Sequence, residues 1–589
     1  MSHLYPRRLR MALRHRIGSL ACFLVFAAGL ACAQQAPGPA FDADHAFDAG
    51  SRITLTTLTP AQTDNLVILG KVWGFLKYHH PVVTSGRLQW DYQLLRVLPR
   101  VLAAPDRAAG NAVLQAWVEA LGEVPPCTAC ASLAPAGLHL RPALAWLDDA
   151  SLLGPGLGGA LRRIYARRPA AGTQFYVSLH EPVGNPVFGR ELAYPDIALP
   201  DAGFQLLALF RFWNIVAYWA PYREVADEPW DDVLREALPR VALAPDRAGF
   251  ELAMMAAIAR LQDTHANLWS ALRVRPPVGD CHVPATLRFV EQRAVVTGPA
   301  AGEAAAAGGL QAGDVIEQID GVPVARLVDA WRPYYAASNE PARLRDIAGR
   351  LTGGACGAAT LRLRRGDDVR DVAVTRVPRQ RQAAAETHDR EGETLQWLAE
   401  DIAYLKLSSL RRADVAAHMA AVERSRGLVI DLRSYPREFV VFALGAYLVG
   451  QPGEFARFTK GDLANPGAFY WTPAATLRPQ GRRYAGKVMV LVDEISQSQA
   501  EYTTMALRIG PRVTVIGSTT AGADGNISPV SLPGGLSTVI SGIGVFYPDG
   551  RPTQRVGIVP DITVLPSIAG VRAGRDEVLD AAIAEIRRP

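Results

Sequence analysis

From about Thr394 to the end, the chain alternates short apolar runs with stretches of helical spacing. Ile402–Leu407 and Gly427–Leu432 predict strands. Val488–Val492 and Val513–Gly517 predict buried strands, since a continuous apolar run needs cover on both faces. Between these two, Ala500 to about Ile509 has helical spacing, Leu536–Phe546 alternates as one strand, and Asp576–Ile586 predicts a closing helix. Strands alternating with helices predict an α/β domain over residues 395–589.

Upstream the period changes to that of helices, and it does so twice. At an offset of 140, Trp73 matches Trp213, Tyr78 matches Tyr218 and Pro81 matches Pro221. Trp90-Asp91 matches Trp230-Asp231, Leu98-Pro99-Arg100-Val101 matches Leu238-Pro239-Arg240-Val241, and Pro105-Asp106-Arg107 matches Pro245-Asp246-Arg247. Both copies place apolar residues at i, i+3 and i+4, which predicts a duplicated helical unit over 56–138 and 201–272. Residues 139–200 between them read as strands and loops. The second copy runs into Leu261-Gln262-Asp263-Thr264-His265, and the first has Pro125 where the second has His265.

Residues 275–378 predict a β-rich module. A glycine turn at Gly309–Gly313 leads into an alternating strand, and Asp320-Gly321 predicts a tight hairpin before the next strand. This pattern resembles a PDZ domain, which implies an extended peptide as ligand, bound by strand addition. The polar stretch 379–394 predicts a linker. The fold class is therefore multidomain α+β: a duplicated helical unit, a PDZ-like β module and an α/β core.

The first 33 residues change the charge balance. Arg7, Arg8, Arg10, Arg14 and Arg16 precede an apolar run from Ile17 to Ala31, and Ala31-Cys32-Ala33 offers a cleavage site. This predicts a signal peptide and export to the periplasm or beyond, with no membrane span after its removal. Cys32 invites lipidation, but Gly29 matches a lipoprotein signal poorly. The formal charge of +5 equals the five leader arginines, so the remaining chain is near neutral. That removes the electrostatic basis for a nucleic-acid partner. Four cysteines follow the leader: Cys127 and Cys130 read as a local bridge, and Cys281 and Cys356 near the two ends of the β module. Four cysteines allow three pairings, and the sequence does not choose. No nucleotide loop or metal cluster is legible, so no cofactor is expected.

The strand Val488–Val492 leads through a polar turn to Ser498-Gln499-Ala500-Glu501 at the start of the next helix. A serine there either caps the helix or presents its hydroxyl where the helix dipole and free N–H groups stabilise an oxyanion. Other segments bear on that choice. The order of helical unit, PDZ-like module and α/β core resembles the tail-specific, or C-terminal-processing, serine peptidases and their tricorn-type relatives. The resemblance rests on Gly427-Leu428-Val429-Ile430-Asp431-Leu432-Arg433, Ser498-Gln499-Ala500-Glu501, Val515-Ile516-Gly517-Ser518-Thr519-Thr520-Ala521-Gly522, Gly557-Ile558-Val559-Pro560-Asp561 and Gly574-Arg575-Asp576-Glu577-Val578-Leu579. It covers most of 205–589 and implies a crotonase-like core.

In that family the nucleophile stands three residues before the glutamate of S-x-x-E, which implies Ser498 rather than Ser496. One branch uses a lysine about 25 residues later; here that position is Ala523, and 488–589 contains no lysine. The tricorn-like branch takes its base from an upstream L-x-D-x-H, which implies His265. Thr264 stands where those relatives carry a helper serine. Gln554 stands where they carry a glutamate, and it can orient an imidazole through its carbonyl without supplying charge. Family members often have glycines after the D-L-R strand; here Ser434-Tyr435-Pro436-Arg437 follows, and proline has no N–H. Gln499 and Arg437 are accordingly the expected oxyanion donors. The resemblance implies an exported serine endopeptidase acting on a peptide or protein through a C-terminus or extended segment. The alternative is a catalytically impaired peptide-binding or scaffold protein on the same fold, motivated by Gln554 and the missing glycines.

Overall fold

The computed structural model describes residues 40–170, 174–299, 308–379 and 388–589. The predicted leader, with Cys32, and the middle of the predicted linker (380–387) lie outside the described residues.

The first helix, Pro60–His79, begins where Thr59 and Gln62 form a reciprocal capping box with Pro60 at the first turn. Everything from Asn65 to His79 is buried, because the helix runs through the centre of the helical unit. It crosses its counterpart, Ala202–Trp219, at Gly70 and Gly74. Asn214 Nδ2 donates to Gly70 O at 2.9 Å, and a Cβ on Gly74 would lie 1.8 Å from Asn214 Oδ1. The same bonds recur at the 140-residue offset. Trp73 Nε1 donates to Trp90 O while Trp90 Nε1 donates to Trp73 O, and Trp213 and Trp230 make the same exchange. Asn65 donates to carbonyls at the end of the helix Trp90–Leu102, as Gln205 does for Trp230–Ala242. Asp106 and Asp246 cap the following helices, Arg107–Ala120 and Arg247–Ala259.

The reading of 139–200 as strands and loops needs correction. Ala150–Ala166 is a helix, capped by Asp149 and kinked at Gly154, whose φ is 63°. The Gly154-Pro155-Gly156 run masks the pattern, but Leu153, Leu157, Leu161 and Ile164 are all buried, at helical spacing.

Four charged groups are buried inside this unit. Lys77 Nζ lies 2.6 Å from Glu191 Oε1, Arg211 Nη2 lies 2.6 Å from Asp91 Oδ2, and Arg211 Nε lies 2.9 Å from Glu191 Oε2. Two positive and two negative charges balance, which makes their burial tolerable. Arg211 Nη1 also donates to Ser531 O, in the hairpin Ile527–Leu532/Leu536–Ser541 of the C-terminal region. Val530, Leu532, Leu536 and Ile540 of that hairpin join the hydrophobic core of the helical unit.

Residues Cys281–Pro378 contain a seven-stranded antiparallel sheet with Ala285–Val290 at one edge. Asp320 and Gly321, with φ of 48° and 79°, make the predicted tight hairpin. Cys127 is bonded to Cys130, and Cys281 to Cys356.

The C-terminal region is built on a six-stranded sheet in the order Leu395–Ala399, Ile402–Lys406, Gly427–Asp431, Lys487–Val492, Val513–Gly517, Ile562–Thr563. All pairs but the first are parallel. Alternate residues go to opposite faces: Leu428, Ile430, Val488 and Val490 pack with the helix Gln499–Arg508, while Val429, Met489 and Leu491 pack with Glu577–Arg587. Cover on both faces explains the unbroken apolar runs. The single strand expected over Leu536–Phe546 is two, Leu536–Ser541 and Gly544–Phe546. The chain turns at Gly542-Ile543 so that the second piece pairs with Gly453–Gly461 instead.

Replacing Arg211 with Met leaves Asp91 and Glu191 buried with one cation between them. We expect a loss of about 3–5 kcal/mol, read as a lower urea midpoint in tryptophan-fluorescence unfolding.

Candidate active site

The strand Lys487–Val492 ends in a turn held by its own polar side chains. Asp493 accepts from Ile495 N and from Arg288 Nη2, and lies 2.9 Å from His388 Nε2. Burial opposes its charge, but Arg288 and His388 hold its carboxyl well below the usual range. Ser496 is fully buried, donates to Leu432 O and accepts from Asp493 N, so its hydroxyl is consumed in the fold.

Ser498 follows with φ 57° and ψ −116°, a left-handed conformation that a non-glycine residue adopts only when its surroundings enforce it. The enforcing group is Glu501. Its Oε2 accepts from Ser498 N (3.0 Å) and Ala523 N (3.0 Å), and its Oε1 accepts from Gly522 N (2.8 Å) and the Thr520 hydroxyl. Burial pushes this carboxyl up despite four donors. Ser498 N also donates to Ala523 O, and Thr520 Oγ1 accepts from Ile558 N. Two sequence segments thus meet on one carboxylate, and a third joins them through Thr520.

Gln499 is the first residue of the helix, so its N–H has no partner within it. The Tyr435 phenol accepts that N–H and hydrogen-bonds to the Ser498 side chain; burial pushes the phenol up. The Gln499 side chain donates to Glu438 O, tying the turn after the strand Gly427–Asp431 to the helix. Arg437, expected as an oxyanion donor, is not available: its N–H donates to Leu407 O at 3.0 Å, because the turn folds back over the neighbouring strand.

His265 comes from the loop after the helix Arg247–Ala259 and is buried. Its Nδ1 lies 3.0 Å from Ser541 Oγ and 3.4 Å from Asp263 Oδ1. Asp263 in turn accepts from His265 N and Ser541 N. Burial opposes the Asp263 charge, but the imidazole and these N–H groups hold its carboxyl below the usual range.

Neither expected orienter touches the ring. Thr264 Oγ1 donates to Ser338 Oγ and accepts from Ser338 N. Gln554 Oε1 accepts from Asp524 N and its Nε2 donates to Ser338 Oγ. Alternate residues of a turn face different ways, so Asp263 reaches the imidazole and Thr264 does not. Asp263 was legible within L-x-D-x-H, although no role followed from it; Ser541, at a hairpin end, gave no signal.

Ser498 and Thr264, the neighbour of His265, both reach one loop, Thr520–Gly525. Ser498 N bonds to Ala523 O, and Thr264 Oγ1 donates to Ala521 O at 3.5 Å. Among the described residues no hydrogen bond joins Ser498 to His265, a separation common before substrate tightens a site. Asp524 sits fully buried in this loop, its carboxyl pushed well above the usual range by burial and by Glu501.

The β module grips the turn that precedes Ser498. Arg288 forms a two-pronged bond to Glu494, at 2.6 and 2.8 Å, besides its bond to Asp493. Arg345 donates to Glu494 O and Gln497 Oε1. A cleft of about 1040 Å³ opens beside these contacts, lined by Val290, Ile316, Val328, Leu344, Glu494 and Leu565; Ser498 lies outside it.

Comparison with known proteins agrees with this layout. Residues 401–564 match peptidase family S41, and residues 278–330 match the PDZ domain. No match was found among curated protein sequences. Among solved structures, the fold is similar to a serine-to-alanine mutant of CPAF (TM-score 0.53, 13% identity, 66% of this chain and 97% of that one). It is similar also to mature CPAF complexed with lactacystin (TM-score 0.51, 14% identity, 66% and 98%). The photosystem II D1 C-terminal processing protease matches at 20% identity over 64% of this chain and 98% of that one, with a TM-score of 0.35. A PDZ domain thus stands ahead of the sheet that carries Ser498, and residues 401–564 of the chain form a domain of peptidase family S41, a family of serine peptidases.

Proposed function

We propose that the protein is an exported endopeptidase in which Ser498 attacks the peptide carbonyl and His265 is the general base. The observation that carries this reading is the enforced left-handed turn at Ser498, fixed through Glu501 to the same loop that the His265 segment approaches. The imidazole accepts the Ser498 proton at Nε2, leaving Nδ1 toward Ser541 and Asp263. Asp263 supplies the negative charge that Gln554 lacks and steadies the imidazolium. The tetrahedral oxyanion takes the Gln499 N–H, which requires Tyr435 to withdraw. Collapse passes the proton from His265 to the leaving amine. Water then repeats the sequence on the acyl-enzyme. Thr264 and Gln554 act at one remove, by positioning Ser338 and the Asp524 N–H.

The PDZ edge strand Ala285–Val290 pairs on one side only and borders the cleft, so an extended peptide can add to it as a further strand. Export rests on the leader sequence.

The second reading, a peptide-binding protein without turnover, draws on one observation: the Tyr435 phenol rests on both Ser498 and the Gln499 N–H. A fluorophosphonate probe separates the two. We expect an adduct on Ser498 in wild type and none in Ser498→Ala, with peptide hydrolysis falling by at least about 10³-fold in Ser498→Ala and His265→Ala. Full hydrolysis in Ser498→Ala rejects the assignment, and an unlabelled wild type that binds peptide favours the second reading.

Glu501→Gln places an amide NH₂ against backbone donors. It is expected to cost about 1–3 kcal/mol of stability and to abolish labelling, measured by urea unfolding and by probe incorporation on the same sample.

A further inference from the structure

Exposed rings gather beside the nucleophile. Tyr435, Phe439 and Phe442 are 47%, 48% and 42% exposed, and all follow the strand Gly427–Asp431 within one turn and the short helix Val441–Gly445. Phe439 stacks on Tyr502 with ring centroids 6.0 Å apart and an 18° tilt, and Phe442 lies 6.0 Å from Phe439. Tyr502 stands one helical turn after Ser498. Behind these rings Phe455, 1% exposed, packs against Tyr502 and Phe442 and anchors them to the core.

The shelf therefore has a buried back and an open front. One end is the Tyr435 phenol on Ser498, and the Gln499–Glu438 bond fixes the turn beside the nucleophile. The Glu438 carboxylate in the same turn accepts from Arg412 N. The faces of these rings gain by covering an apolar side chain, and burying a charged one against them costs its desolvation. It shares no lining residue with the PDZ-side cleft.

We propose that Tyr435, Phe439, Phe442 and Tyr502 form the subsite that receives an apolar side chain of the peptide next to the scissile bond. This rests on Ser498 as nucleophile, through the continuity of the shelf with Ser498 and Gln499. The occupant is the substrate itself, and its apolar residue displaces the Tyr435 ring as the carbonyl enters.

Two measurements test it. In Ser498→Ala, peptides acetylated at the N-terminus and amidated at the C-terminus, with one p-benzoylphenylalanine, are photocrosslinked and the adducts mapped by mass spectrometry. Blocking the C-terminus removes capture of a free carboxylate by the PDZ domain. Adducts within 435–442 or on Tyr502 are expected; adducts only elsewhere, or none, overturn the proposal. In wild type, kcat/KM for matched peptides with Phe or Leu at the cleaved position is expected to exceed that for Glu by at least about 10-fold, a ratio set by burial of one side chain. In Phe439→Ala/Phe442→Ala that ratio is expected to fall toward 1, and an unchanged ratio overturns the proposal. Crosslinks on the shelf in Ser498→Ala, together with a wild type that hydrolyses no peptide, support an apolar binding site there and reject the nucleophile assignment, so the two failures are distinguishable.

Discussion

The hairpin Ile527–Leu532/Leu536–Ser541 is the constraint on which the candidate site depends. It belongs by sequence to the C-terminal region, yet its apolar face is buried in the core of the helical unit. Arg211 and Arg247 fasten it there through carbonyls of Ser531 and Gly534. Its last residue, Ser541, meets both the His265 ring and the Asp263 carboxylate. The register between the sheet that carries Ser498 and the loop that carries His265 is thus set by hydrophobic burial far from either side chain. The balanced charges of Lys77, Asp91, Glu191 and Arg211 make that burial specific, since a slipped hairpin would leave a guanidinium short of acceptors.

What could be read from the chain alone follows a physical division. Periodic burial leaves a trace in sequence, so the buried strands, the helix after Ser498 and the helical repeat were legible. Ser498 and His265 stood out because a strand-to-helix turn, an S-x-x-E spacing and the absence of a downstream lysine could be checked position by position. The helix Ala150–Ala166 was hidden because Gly154-Pro155-Gly156 mimics a break while the apolar spacing continues through it. Ser541 as a partner of His265, and the loss of the Arg437 N–H to Leu407, depend on which residues meet across the fold. No local pattern encodes such meetings.

Glu501 shows how a modest motif can carry a large structural load. The glutamate spaced three after the serine turns both carboxylate oxygens into the fold. It gathers N–H groups from Ser498, Gly522 and Ala523 and the Thr520 hydroxyl, and through Thr520 it reaches Ile558. The short segments that looked separately unremarkable in sequence are the pieces of one bonding pattern. Asp493 does the same on the other side of the turn, taking Arg288 from the PDZ side.

That division of labour bears on where the functional unit ends. The matched peptidase segment, 401–564, contains Ser498, its enforced turn and the hairpin, but not His265 and not the helical core that the hairpin needs. The duplicated helices therefore complete the fold around the candidate site rather than append to it. Cut free of them, the sheet would keep Ser498 and lose both His265 and the mould that gives its hairpin a shape.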